Sequence, residues 1–112
     1  MNTGAAPESE VLACYERLAV LSQRLLAHAR AQEWGALPGL EEECSAVVEL
    51  LRQIEPHEPL DAALLMRKHS LLSRIRCDYD AIAQAVEPQL QHLRDILQGM
   101  HRQRMLRCYE QR

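Results

Sequence analysis

Apolar residues recur at a strict seven-residue spacing through the second half of the chain, and this pattern constrains the fold more than any other feature. The repeating positions are Leu65, Leu72, Tyr79, Val86, Leu93 and Met100, with Ile75, Ile82 and Ile96 in a parallel row. Seven residues are close to two helical turns, so the pattern predicts one long amphipathic helix. From residue 65 to residue 100 it would extend about 50 Å, whereas the two earlier helical segments suggest only roughly 30 to 38 Å. The apolar stripe is therefore longer than the two helices that could cover it within the chain, and this excess predicts a partner.

Composition favours an aliphatic helical domain. The chain has 112 residues, of which 47% are hydrophobic but only 4% aromatic, and it contains no Phe. These values suit a core of Leu, Val, Ile and Ala in a single domain, residues 1–112. Within it we expect a flexible lead-in at residues 1–6 and a basic C-terminal segment at residues 99–112.

The first two helices follow from local patterns. Pro7 and the acidic Glu8 and Glu10 suit a first helical turn, and the helix is expected to run to about Gln32. Its predicted inward residues are Val11, Leu12, Tyr15, Leu18, Ala19, Ser22, Leu25, Leu26 and Ala29. The second helix is predicted at residues 35–54, because Pro38 is tolerated only within a first turn. Trp34 is expected to plug the bend between the two helices.

The third helix is expected to begin after Asp61, which can cap its N-terminus. Pro88 interrupts the pattern, and the unbroken register on both sides favours a kink over a separate loop. Gly99 is expected to separate this helix from the terminal basic segment. The fold class predicted is all-α: an antiparallel helical bundle of three main helices, the third long, plus a short C-terminal helical segment.

The four cysteines stand alone, with no Cys-x-x-Cys pair, which indicates a reduced, cytoplasmic chain. Cys44 falls on an apolar stripe and is expected in the core. The other three, Cys14, Cys77 and Cys108, are expected to be partly exposed. No disulfide, metal site or cofactor is predicted.

Several functional classes are disfavoured. No Glu-x-x-His pair, Gly-x-Ser-x-Gly motif or phosphate-binding glycine loop is present, so neither an enzyme nor a metal protein is expected. Arg102, Arg104 and Arg107 form a basic cluster, but the net charge of −3 and the lack of interleaved aromatic residues argue against nucleic-acid binding. No signal peptide or membrane insertion is predicted.

Three stretches resemble the FliT flagellar export chaperone family. They are residues 15–23 (YERLAVLSQ), residues 31–37 (AQEWGAL) and residues 102–109 (RQRMLRCY). With a long third helix between the last two, the resemblance spans nearly the whole chain. It departs from the family at Pro88, where members usually have a continuous helix.

The resemblance implies a cytoplasmic type III export chaperone. Such a protein binds FliD, the filament-capping protein, prevents its premature assembly and delivers it to the flagellar export apparatus. The implied export partners are FlhA, FliI and FliJ, with Tyr109 as a contact, and some members also act on the transcription activator FlhDC. The client site would be a groove between the second and third helices, with the candidates Val48, Leu51, Leu72, Ile75, Tyr79 and Ile82.

Two alternatives stay open at the level of sequence. The same spacing serves a core and an interface, and each candidate taken singly fits a core residue better than an interface residue. The apolar stripe can also be the seam of a homodimer, in which case the chain is a self-associating helical adaptor or scaffold without chaperone activity.

Overall fold

The computed structural model describes residues 9–110 of the chain, which form three α-helices. Their bounds are α1 (Glu10–Arg30), α2 (Leu37–Ile54) and α3 (Ala62–Glu110), with short 3₁₀ turns at Trp34–Ala36 and Glu55–His57. The described residues contain no strand, so the all-α fold class is confirmed. The lead-in predicted for residues 1–6, and the first-turn roles of Pro7 and Glu8, lie outside the described residues.

Local hydrogen bonds explain where α1 begins and ends. The Ser9 hydroxyl accepts the N–H of Leu12 at 3.1 Å and so caps the first turn. At the other end Gln32 has a φ of 60°, and the N–H of Glu33 donates to the carbonyl of His28 at 2.8 Å. This is a Schellman ending, with a non-glycine residue in the left-handed position that glycine favours.

The core is built around α1. Every inward residue predicted for α1 is buried except Leu26, which is half-buried. The residues that α2 and α3 bury against α1 are Cys44, Leu51, Leu71 and Ile75. The 3₁₀ turn holds Trp34 half-buried at the bend, where the sequence places it.

Side-chain contacts join α1 to the other two helices. Tyr15, early in α1, donates to Glu55 just after α2, whereas Arg17 contacts Glu43 near the start of α2. From α3, Lys68 lies over the Tyr15 ring, and Asp78 accepts a hydrogen bond from the Ser22 hydroxyl at 2.9 Å.

The third helix is longer than the sequence predicts. Asp61 caps it as expected, accepting the N–H of Leu64 at 2.9 Å. The helix then continues through Pro88 and Gly99 to Glu110, so the expected separate C-terminal segment is instead the last part of α3. One glycine costs a helix only about 1 kcal/mol, which the flanking residues of good helix propensity offset. The molecule is accordingly elongated, with extents of 80 × 28 × 22 Å.

The second half of α3 leaves the rest of the molecule. All of residues 87–110 are exposed, whereas Leu71 and Ile75 in the first half are buried. Five exposed apolar residues in this half, here called the distal stripe, are Leu90, Leu93, Ile96, Leu97 and Met100. The prediction that the apolar stripe extends beyond the helices that cover it is confirmed.

The cysteines are all free thiols. Cys44 is buried as predicted, and Cys77 and Cys108 are exposed. The expectation for Cys14 was wrong: it lies in the core, because α1 is covered by two helices and buries a wider arc than a single stripe.

Candidate functional site

A groove lies between α2 and α3. Both helices pack on α1 but hardly contact each other, which leaves an open cleft of ≈ 640 Å³ between them. Its walls are formed by Glu41, Cys44, Ser45, Val48, Glu49, Arg52 and Tyr79. We refer to this cleft, with these residues, as the groove.

The six predicted client-site residues divide into three classes of burial. Leu51 and Ile75 are buried, at 6% and 9% exposure, and belong to the core. Leu72 and Ile82 are partly buried and pack against that core. Val48 and Tyr79 are exposed at 39% and 44%, and these two line the groove.

Sequence reasoning missed the polar part of the groove. Glu41, Ser45 and Arg52 lie seven, three and four residues from Val48 and therefore share its face of α2. That spacing was a usable signal. Polar side chains of this kind occupy any solvent-exposed helix face, so their types alone do not distinguish a groove wall from an ordinary surface.

Tyr79 and Cys44 meet across the groove. Partial burial, the Cys44 thiol and the nearby Glu41 carboxylate together raise the pKa of Tyr79 to about 12. A tyrosine phenol is protonated at neutral pH with or without this shift, so Tyr79 offers a hydrogen-bond donor on an otherwise apolar ring. Such a ring combines a large contact area with one polar handle, which suits protein recognition.

A polar cluster holds the three helices together at the end of α2. Glu55 accepts from the Tyr15 hydroxyl at 2.8 Å and from the Lys68 ammonium at 2.6 Å, so one carboxylate joins residues of α1 and α3 to the turn after α2. Lys68 also lies 5.4 Å from the centre of the Tyr15 ring, within cation–π range. This cluster fixes the separation of α2 and α3 at one end of the groove.

The charges of this cluster support each other. The hydrogen bond from Lys68 holds the pKa of Glu55 below its usual value, against the opposing effect of partial burial. The same bond raises the pKa of Lys68. For Tyr15, burial and the bond to Glu55 raise the pKa of the hydroxyl.

Tyr109, the predicted export contact, lies far from the groove. It stands near the end of α3 and is 76% exposed. Around it, Arg102, Met105 and Leu106 are also exposed. The chain thus carries two separate candidate surfaces, the groove and the end of α3.

Two kinds of site are absent from residues 9–110. No group of three His, Cys, Asp or Glu side chains is placed to hold a metal ion. Over the same residues, no helix combines the length and apolar character needed to cross a membrane.

Comparisons with known proteins agree with this architecture. A sequence model of the family described as "Flagellar protein FliT" matches residues 12–111. The crystal structure of flagellar protein FliT from Bordetella bronchiseptica is similar, with 39% sequence identity and a TM-score of 0.73 over 79% of this chain and 99% of that one. No curated protein matches the sequence. Because the family match covers nearly the whole chain, the protein belongs to the FliT family of flagellar proteins.

Proposed function

We propose that this protein is a cytoplasmic flagellar type III export chaperone. In this account it binds the filament-cap protein FliD, prevents its premature assembly and delivers it to the export apparatus. Family membership supports the link to the flagellum. The observation that carries the rest of the proposal is the open groove between α2 and α3, which exposes Val48 and Tyr79.

The groove suits an amphipathic helix of a client. Two helices held apart by a third leave room for a further helix, which would anchor by apolar side chains at three- and four-residue steps. Val48 and Tyr79 lie on opposite walls, and burying the exposed part of each is worth about 1 kcal/mol. Leu72 and Ile82, already half-buried, would extend the apolar floor, while Leu51 and Ile75 hold that floor in place.

Delivery needs a second surface, for which we propose the end of α3. Tyr109 would contact a component of the export apparatus, with FlhA, FliI and FliJ as the candidates. Action on FlhDC is a further family activity that no described residue favours or disfavours.

The groove is tested by one substitution and a matched control. Val48→Asp places a carboxylate in the groove, whereas Val20→Asp makes the same change on α1 outside the groove residues, where the valine is equally exposed at 41%. Titration calorimetry with the C-terminal region of the cognate FliD should show at least about tenfold weaker binding for Val48→Asp, because the client would bury an unpaired charge. Val20→Asp should bind like the unaltered chain. Equal affinities for the two variants would exclude the groove as the client site.

The second candidate function is a self-associating helical adaptor. The distal stripe favours it, since its five exposed apolar side chains are what a helix seam requires. In that case the chain would form a dimer that persists when FliD is added. Substitutions in the groove would leave this dimer intact.

A further inference from the structure

One charge in the groove is not compensated by another described residue. The ionised side chains on its walls are Glu41, Glu49 and Arg52. Glu49 and Arg52 contact each other at 3.8 Å, so their charges largely offset one another. Glu41 makes no ion pair among residues 9–110. The surplus charge of the groove is therefore a single carboxylate, near the start of α2.

Glu41 is the first of three consecutive glutamates, and the other two lie outside the groove residues. Successive residues of an α-helix are rotated by about 100°, so the three side chains leave α2 on different sides. Glu43 contacts Arg17 of α1 at 3.0 Å. Glu42 is exposed and makes no ion pair within the described part of the chain. The charge at Glu41 thus belongs to the groove and is not part of one general acidic surface.

Tyr79 stands on the wall of the groove opposite Glu41. The carboxylate of Glu41 is close enough to contribute to the raised pKa of Tyr79. The Tyr79 side chain is 44% exposed, so part of its ring is open to a bound molecule. The preceding residue, Asp78, accepts a hydrogen bond at 2.9 Å from the fully buried Ser22 of α1, which holds this part of α3 in place. One end of the groove therefore presents a carboxylate and an aromatic ring on two different helices.

The same two groups already bind a cation elsewhere in this chain. Glu55 accepts a hydrogen bond from the Lys68 ammonium at 2.6 Å, and that ammonium lies 5.4 Å from the centre of the Tyr15 ring. The carboxylate supplies an ion pair, and the aromatic ring adds a cation–π attraction. Glu41 and Tyr79 offer this combination on the open walls of the groove, where the cation must come from a bound molecule.

The bound molecule must also cover apolar side chain. Val48, 39% exposed, lies seven residues after Glu41 on α2, which is two helical turns or about 10 Å along the groove. The surplus negative charge disfavours a nucleic acid. A metal ion is disfavoured too, because residues 9–110 hold no group of three side chains placed to ligate one. An amphipathic helix that carries a cation and an apolar residue two turns apart on one face satisfies both requirements.

We propose that Glu41 and Tyr79 form a cation subsite of the groove, which receives a lysine or arginine side chain of the client helix two turns from the apolar residue that covers Val48. The proposal rests on the proposed function in taking the groove to be the client site. Arginine binds more tightly than lysine here, because a planar guanidinium pairs with the carboxylate and stacks on the ring together. The subsite therefore sets the register of the client helix along the groove, which apolar contacts alone leave loosely defined.

The first test compares identical charge reversals at neighbouring glutamates. Glu41→Lys alters the subsite, and Glu42→Lys makes the same change one residue away, outside the groove. Titration calorimetry with the C-terminal region of the cognate FliD should show at least about tenfold weaker binding for Glu41→Lys and less than about threefold for Glu42→Lys. Circular dichroism and urea denaturation check that both variants stay folded. Equal affinities for the two variants would overturn the subsite.

The ring of Tyr79 is tested separately from its hydroxyl. Tyr79→Leu removes the aromatic face and should weaken FliD binding at least about fivefold, whereas Tyr79→Phe keeps that face and should weaken it less than about twofold. Equal losses in the two variants would contradict a role for the ring face.

The cation of the client is found by pairing substitutions on the two proteins. Each lysine and arginine of the FliD fragment is replaced in turn by alanine, and affinity is measured for the unaltered chain and for Glu41→Gln. One replacement should weaken binding to the unaltered chain at least about threefold and have no further effect on Glu41→Gln, because the two changes remove the same interaction. Losses that add for every lysine and arginine would overturn the proposal.

A probe other than FliD separates the subsite from the identity of the client. Two amphipathic helical peptides differ at one position only, arginine or glutamate, seven residues from a central leucine. The arginine peptide should bind the unaltered chain at least about fivefold more tightly, and Glu41→Gln should abolish this preference. If FliD does not bind but the peptide preference holds, the client function fails and the subsite stands. If FliD binds and the two peptides bind equally, the subsite fails and the client function stands.

Discussion

At the scale of the residue, Glu55 links all three helices near the end of α2. Its carboxylate takes hydrogen bonds from Tyr15 and Lys68, and its side chain is 32% exposed, so these bonds are partly shielded from water. Charge-assisted bonds in such a setting are stronger than ion pairs on an open surface. The cluster was not predictable from sequence, because the three residues lie on three elements and share no spacing.

Replacing Glu55 by Gln should lower the free energy of unfolding by about 1 to 3 kcal/mol, because Lys68 and Tyr15 lose a charged acceptor. Urea denaturation at pH 7 measures the change. Glu42→Gln is the matched control, since Glu42 is exposed on α2 and has no ion pair among residues 9–110, and it should leave stability within about 0.5 kcal/mol. Similar losses in both variants would contradict a special role for Glu55.

The same cluster predicts the direction of a pH effect. The pKa of Glu55 is lowered in the folded chain, so the unfolded chain binds more protons in acid. The contribution of Glu55 to the free energy of unfolding is therefore complete above the pKa of a glutamate in the unfolded chain, about 4.3. It is lost as the pH falls through the lower pKa of Glu55 in the folded chain. The stability difference between the unaltered chain and Glu55→Gln should shrink in that window. A difference that stays constant down to pH 2 would show that the carboxylate charge is irrelevant.

Gln32 is the one described non-glycine residue with a positive φ, at 60°. A side chain in the left-handed region costs about 1 to 2 kcal/mol, and Gln32→Gly would remove this cost. Glycine also raises the conformational entropy of the unfolded chain, which offsets part of the gain. The free energy of unfolding should therefore rise by up to about 1 kcal/mol. Thermal denaturation would show a higher Tm. Gln23→Gly, in the exposed interior of α1, should instead lower stability by about 1 kcal/mol. A lower Tm for both would mean that Gln32 leaves the left-handed region in solution.

At the scale of the element, α3 is one helix in two environments. Its first half packs on α1, and its second half has no cover. Pro88 stands at the boundary and cannot donate a backbone hydrogen bond to the residue four positions earlier. The second half is therefore held only by its own helix propensity and by short-range pairs such as Arg94 with Glu87.

Hydrogen exchange should divide α3 at Pro88. Amides at residues 90–110 should exchange much faster than those at residues 68–82, since helices without tertiary contacts open readily. Pro88→Ala restores one hydrogen bond and should slow amide exchange at the residues just after position 88. The free energy of local opening there should rise by at most about 3 kcal/mol. NMR exchange rates measure both. Uniform protection along α3 would show that the second half is covered in solution.

The elements also show where sequence reasoning succeeds and fails. The buried residues of α1 and the cap at Asp61 followed from periodicity and side-chain chemistry, which are local properties. The end of α3 did not, because a lone Gly99 with no tertiary contact weakens a helix without stopping it. Nor could spacing alone tell Val48 from Leu51, since the difference depends on α2 and α3 being held apart, which no local pattern records.

At the scale of the whole molecule, the formal charge is uneven along the chain. Residues 1–58 carry a formal charge of −6, and residues 59–112 carry +3. The acidic part contains α1 and α2, and the basic part contains α3, whose first half packs on α1 and whose second half extends away from them, in a molecule 80 Å long. An uneven charge of this kind steers association with charged partners more than it stabilises the fold.

The measurement that tests the account most directly is the mass of the chain, by light scattering, with and without the C-terminal region of the cognate FliD. The account predicts a complex whose mass is that of one 12.8 kDa chain plus one FliD fragment, formed at micromolar concentration. Separate elution of the two proteins, or a dimer of this chain that FliD does not disrupt, would contradict it and favour the self-associating adaptor.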